Sequence, residues 1–201
     1  MEQLSTIIVA FLTGVLGPIL VIFVKNKLSD NKPKSDMLSD SLRIGELVTV
    51  KIENIREDFK ADRVWISQFH NGGHFYPTGK SIAKFSVIYE TVSSNTNSIQ
   101  MNFQNIPVNL FTKSMNRLLD KDLIEISDFT DETISTYGLK YIAEDTNCKS
   151  SYLFAIKTLD DKFIGVLGVE YTKKKVKLSQ ENINQLSIDA SSLGGSLMSS
   201  H

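Results

Sequence analysis

Cysteine is almost missing from this sequence: Cys148 is the single one in 201 residues, so no internal disulfide can form. No Cys/His spacing of the zinc-binding kind occurs either, and the chain is expected on the cytosolic side of a membrane. An excess of one charge is lacking too. Lys and Arg number 22 against 23 Asp and Glu, which removes the broad basic field of a nucleic-acid-binding protein, and no nucleic-acid partner is expected. No nucleophile elbow appears, no Gly-rich phosphate loop opens a helix, and no His–Cys or His–Ser pair has an arguable proximity. No catalytic residue is therefore assigned, and the chain is not expected to be an enzyme. The acidic pairs Asp120/Asp122 and Asp131/Glu132 read as solvated caps and turns, and no internal repeat or low-complexity tract is present.

What is there begins with grease. Residues 4–24 read "LSTIIVAFLTGVLGPILVIFV", 21 residues without a charge, and at about 1.5 Å per residue that run matches a hydrocarbon core of roughly 30 Å. One transmembrane helix within residues 1–24 is expected. The start "MEQ" lacks the cationic opening of a cleaved signal peptide, and the run ends in Phe23-Val24-Lys25 rather than small residues. Lys25, Lys27, Lys32 and Lys34 follow the run while no Lys or Arg precedes it, so the expected topology is a single pass through the inner, cytoplasmic membrane with the N-terminus outside. Gly14, Gly17 and Pro18 fall inside the run, where the proline should kink the helix. The glycines either admit a neighbouring helix or are ordinary membrane-helix residues.

Residues 25–37 form a polar juxtamembrane linker with a proline, and residues 38–201 form the soluble domain. Leu38, Leu42, Gly45, Val48, Ile52, Ile55 and Phe59 recur at three or four and predict a helix. "DRVWISQF" and "AKFSVIYETV" read as strands, joined through "HNGGHFYPTGKS". Val108, Phe111, Met115 and Leu118 keep helical spacing, "LIEIS" is a short strand, and residues 128–149 suit short helices and loops. Two apolar runs around Leu159-Asp160-Asp161-Lys162 predict a hairpin. Ser179 is a good N-cap for a last helix carrying Ile183, Leu186, Ala190, Leu193 and Leu197, with Leu178 and Ile183 as a staple. The order predicts an α+β fold, an antiparallel sheet flanked by helices. The stripes on the first and last soluble helices, with Gly194-Gly195, would pack within one chain or extend into a bundle between two chains.

The closing unit, "SSYLFAIKTLDDKFIGVLGVEYTKKKVKLSQENINQLSIDASSLGGSL", and the opening "ADRVWISQFHNGG" resemble the GAF domains, small-molecule-sensing modules related to PAS domains, over residues 40–199. The resemblance implies a GAF-like antiparallel sheet and a ligand pocket between sheet and covering loops. Family patterns are partly absent. The strand around Ala155-Ile156-Lys157 lacks the proline many members carry, and Phe129-Thr130-Asp131-Glu132 only approximates part of the cyclic-nucleotide signature. Cys148 precedes Lys149 rather than the His that commonly follows a bilin-bearing Cys, and one cysteine cannot run the disulfide exchange of methionine-sulfoxide-reducing members. No cofactor is expected.

The resemblance places residues 69–80 near the pocket mouth. His70 and His74 are four apart, but Gly72-Gly73 argues against a helix and for a turn, with Asn71-Gly72 supplying positive φ. Three readings stand: metal binding with Cys148, Glu90 or Asp145 as further ligands, contact with a ligand or partner, and plain loop packing. No metal is assigned. The candidate ligand-binding residues are Phe69, His70, His74, Tyr76 and Tyr89, with Phe85 read as core. "YTKKKVK" is a solvated loop or a contact for anionic headgroups. The expectation is a membrane-anchored, non-catalytic GAF-like sensory or interaction protein that binds a small ligand or partner and signals through its terminal helices, as a homodimer or with a partner protein. The alternative is a ligand-free structural or adaptor membrane protein, of the kind phage genomes encode as accessory proteins.

Overall fold

A computed structural model describes residues 12–30, 37–74 and 77–198, and the chain divides into two units, Met1–Asp40 and Ser41–His201. In the first unit a π-helical turn, Leu12–Leu16, precedes helix α1, Gly17–Asp30. Pro18 lies in the first turn of α1, where its missing N–H takes no bond from the helix, so the irregular turn before it replaces the kink expected in mid-run. Among the described residues no helix is long and apolar enough to cross a membrane. The expected transmembrane helix is therefore not supported, and residues 1–11 of that expectation lie outside the described residues. Helix α1 also continues to Asp30, through the first part of the expected linker, because nothing before Asn31 breaks it.

The second unit holds most of helix α2, Met37–Asp58, which buries Ile44, Val48, Ile52 and Ile55 along one stripe. The helix stops where Lys60 turns to φ 51° and the N–H of Ala61 reaches back to the Arg56 carbonyl. A six-stranded antiparallel sheet follows. Its strands are β1 (Arg63–His74), β2 (Ser81–Val92), β3 (Ile106–Pro107), β4 (Leu123–Ile126), β5 (Ser150–Lys157) and β6 (Phe163–Tyr171), in the spatial order β3-β2-β1-β6-β5-β4. The first long strand thus pairs with the last. Between β3 and β4 stand a 3-10 turn, Val108–Phe111, and helix α3, Thr112–Lys121; helix α4, Lys140–Asp145, precedes β5, and helix α5, Gln180–Met198, closes the unit. The helix predicted through Val108 begins only at Thr112, because Pro107 holds the chain extended and Asn105 takes φ 58°.

Alternation along the strands separates two apolar layers. Val64 and Ile66, Tyr152, Phe154 and Ile156, and Leu167 and Val169 face one side, where they meet the α2 stripe together with Ile183, Leu186, Ala190 and Leu193 of α5. The Ser179 hydroxyl accepts from the Asn182 N–H at 3.2 Å, as a helix N-cap should. Gly194 has a local use: a Cβ there would lie 2.0 Å from the Lys157 carbonyl oxygen, so only glycine lets α5 lie this close to β5. The Leu159-Asp160-Asp161-Lys162 hairpin forms as predicted, with Asp161 at φ 61° and the Thr158 N–H bonded to the Lys162 carbonyl.

The connection after Phe69 differs from the expected turn. Strand β1 runs on to His74, and the register slips between Asn71 and His74, so Gly72-Gly73 is a bulge with the positive φ, 95°, on Gly73. A glycine pair serves a bulge as well as a turn, and the sequence does not distinguish them.

Candidate functional site

The other side of the sheet carries a floor of three rows. Strand register sets Arg63 beside Glu170 and Glu170 beside Ser151; the next row is Trp65, Gly168 and Leu153, and the third is Ser67, Val166 and Ala155. Ile99 and Phe103 come over this floor from the segment after β2, Phe111, Met115 and Leu118 from the 3-10 turn and α3, and Phe129, Ala143 and Cys148 from the chain before β5. They line a cavity of about 70 Å³ with a nearly all-apolar wall. Ligand pockets for drug-sized molecules run from roughly 300 Å³ upward, so this one is small.

Strand β2 fastens the roof through side chains and main chain. The Glu90 carboxylate accepts from the N–H groups of Ile99 at 2.9 Å and Gln100 at 3.0 Å, and from the Ser98 hydroxyl. Gln104 donates its amide to the Val87 carbonyl at 2.7 Å, and the Ser86 hydroxyl accepts from the Asn105 N–H at 2.9 Å. Glu90 is thereby committed to the roof. The Lys173 and Lys175 ammoniums of the basic run are clamps as well: Lys173 reaches Asp62 at 3.1 Å, and Lys175 reaches Asp128 at 2.7 Å. The Lys175 ammonium and the Thr130 hydroxyl hold the Asp128 carboxyl down to about 2.

At one end of the floor lies a buried ion pair. Arg63 is 0% exposed and Glu170 8%; Nε and Nη2 of Arg63 both approach Oε2 of Glu170, at 2.7 and 2.6 Å, and Nη1 donates to the Asn97 carbonyl at 2.9 Å. Such a pair is expensive to desolvate and more expensive to break. Burial, and then the neighbouring Glu170 charge, pushes the Cys148 thiol well above the ordinary cysteine range, and its S–H donates to the Ser150 carbonyl. A thiol kept protonated is no nucleophile. The Trp65 indole lies across Gly168, where a Cβ would come within 2.1 Å of the ring, and its N–H is buried without a hydrogen-bond partner among the described residues.

The candidate residues from the sequence are dispersed around this cavity. Phe69 sits one step beyond the floor, half-buried and edge-on to Phe163 with ring centroids 4.8 Å apart. His70 is exposed, with Nε2 3.0 Å from the Ser86 hydroxyl, and His74 is exposed at the end of β1. Tyr76 lies outside the described residues. Tyr89 packs on the α2 side, its ring against Gly45, because a bulge at Ile88 reverses the alternation that put Phe85 and Val87 over the cavity. Among the described residues no group of three or more His, Cys, Asp or Glu is placed to hold a metal. The cavity's own floor was readable as the alternate residues of "RVWIS", whose polar and bulky members share the parity opposite to Val64 and Ile66.

No protein-family model matches the chain, and no curated protein sequence matches it. Solved structures do. A far-red cyanobacteriochrome photoreceptor is similar with a TM-score of 0.62 and 14% identity, over 89% of this chain and 97% of that one. The blue-light-absorbing form of the PixJ GAF domain of Thermosynechococcus elongatus is similar with a TM-score of 0.61 and 16% identity, over 80% and 88% of the two chains. The phycoerythrobilin-bound GAF domain of a cyanobacterial phytochrome is similar with a TM-score of 0.61 and 19% identity, over 82% and 94%. The fold is that of GAF domains.

Proposed function

We propose that this chain is a non-catalytic sensory domain that binds a small molecule in the cavity between the sheet and helices α3 and α4, and reports occupancy through helices α2 and α5. The observation that carries the reading is the apolar cavity on the sheet face opposite those helices. Similar solved structures include a phycoerythrobilin-bound GAF domain, which supports a ligand-binding role for this fold. A volume of about 70 Å³ and a buried, protonated Cys148 favour a ligand much smaller than a bilin.

A route to the helices is built into the floor strands. Next to Glu170, on the opposite face, Tyr171 donates its hydroxyl to the Phe59 carbonyl at 2.9 Å, just past the end of α2. Tyr152, next to Ser151, donates to the Val176 carbonyl at 2.8 Å and accepts from the Leu178 N–H at 3.0 Å, just ahead of α5. Strand shifts at the cavity would therefore be felt where both helices join the sheet.

The reading keeps a membrane anchor at the amino end and a cytoplasmic domain. Its support is the uncharged run of residues 4–24 and the exposure of Ile19, Leu20, Val21, Ile22 and Phe23, apolar side chains that water does not favour. A second reading, a ligand-free adaptor that docks a second copy or a partner protein, is favoured by the exposed Leu42, Leu47 and Val50 on α2.

The test is a thermal-shift screen of the full chain in detergent against small apolar compounds, with disulfide crosslinking of cysteines introduced at Leu42 and Leu47. The sensory reading expects compounds that raise Tm and alter crosslinking. No rise in Tm with any compound, beside crosslinking that never changes, would leave the adaptor.

A further inference from the structure

The polar groups around the cavity divide into those already engaged and those with capacity left. Ser114 donates to the Tyr137 carbonyl and Thr146 to the Ile142 carbonyl, each at 2.8 Å, and Cys148 donates to Ser150. Glu170 is neutralised by Arg63, so neither an anion nor a cation would find an unanswered opposite charge. What remains is the buried indole N–H of Trp65, with the Ser67 hydroxyl two residues along the same strand and the Ser151 hydroxyl at the opposite corner of the floor. An indole N–H can only donate, whereas a hydroxyl can rotate to donate or accept. A buried donor without an acceptor is costly, and a ligand that supplies the acceptor removes that cost.

Resting on the reading of this cavity as a ligand site, we propose that the ligand is a small uncharged molecule with an apolar body and one hydrogen-bond acceptor, which takes the Trp65 indole N–H. The apolar wall contacts the body. The volume, about 70 Å³, is roughly half that of the 150 Å³ cavity known to take benzene, which limits the ligand to about three or four heavy atoms. The position of the indole is itself set by sequence, since any side chain at Gly168 would occupy the space of the ring.

Trp65 is the single tryptophan of the chain, so the indole region of a ¹⁵N-correlated NMR spectrum holds one signal, and it reports this donor alone. The probes are acetone and 2-methylpropene, which share a shape and exchange an oxygen for CH₂. In the full chain, acetone is expected to bind about tenfold more tightly and to move the indole proton downfield, while 2-methylpropene leaves it near its free position. Trp65→Phe should bind both probes alike. Equal affinity of the unaltered chain for the two probes, or an indole proton that acetone leaves in place, would overturn the donor role and leave the cavity reading intact. Binding of neither probe would overturn the cavity reading with it. Should Trp65→Phe fail to fold, the shift in the unaltered chain decides the question alone.

Discussion

The two faces of one sheet are built on different rules. Towards α2 and α5, Val64, Ile66, Leu167 and Val169 are fully covered by helical Ile and Leu side chains, and the tightest approach, Gly194 on Lys157, leaves no slack. Towards α3 and α4 the same strands present an ion pair, hydroxyls, an unsatisfied indole and a void. Close packing serves stability, and a face that departs from it retains polar groups where an all-apolar core would be more stable. The contrast separates the closely packed side of the molecule from the side that receives the ligand on the proposed reading.

The largest expected effect comes from breaking the polar end of the open face. Arg63→Met strands the buried Glu170 charge and should cost about 3–5 kcal/mol in urea unfolding, more than the paired replacement Arg63→Met with Glu170→Leu. Next is Leu186→Ala on the closed face, where Leu186 is wholly buried and a loss of about 2–5 kcal/mol is expected by the same measurement. Enlarging an alanine sharpens the comparison. Ala190→Val on the closed face should destabilise by about 1–3 kcal/mol, whereas Ala143→Val, which points into spare volume, should cost less than about 1 kcal/mol. Gly168→Ala should displace the indole and shift the tryptophan emission maximum.

A smaller effect concerns pH. Burial works to raise the Asp62 carboxyl, but the Lys173 and Thr172 N–H groups and the Lys173 ammonium outweigh it and hold it below the usual carboxylate range. The unfolded chain therefore binds this proton first as pH falls. The contribution of Asp62 is whole above the ordinary aspartate value of about 4 and disappears as pH drops through the lower folded value. In Asp62→Asn, the stability lost between about pH 5 and pH 2 should be smaller, as unfolding curves at stepped pH would show.

Much of the fold was legible because burial imposes periods on the sequence. The 3.6-residue stripes of Val48 to Ile55 and Ile183 to Leu193, and the alternation of "RVWIS", state which side chains are inside, whereas Leu38 and Leu42 of the expected first stripe are exposed and Ile44, outside it, is buried. The site was less legible, for two physical reasons. A bulge leaves no periodic mark until the partner strand is known: Tyr89 lies two residues past Val87, yet the extra residue Ile88 turns it to the α2 side, away from the cavity for which it was a candidate. The cavity is also made by neighbours distant in sequence, with Trp65 lying on Gly168 and Arg63 paired to Glu170. His70 and His74 stood out as residue types, yet both lie on the exposed stretch of β1 beyond the last β6 pairing at Gln68.

Xenon tests the difference between the faces most directly, because it enters dry apolar voids without needing any particular chemistry. A crystal of the full chain under xenon pressure is expected to show one strong site between Trp65, Met115 and Leu153, and none between the sheet and helices α2 and α5. An empty cavity beside xenon lodged among Ile52, Leu167 and Leu186 would contradict the assignment of the receiving face.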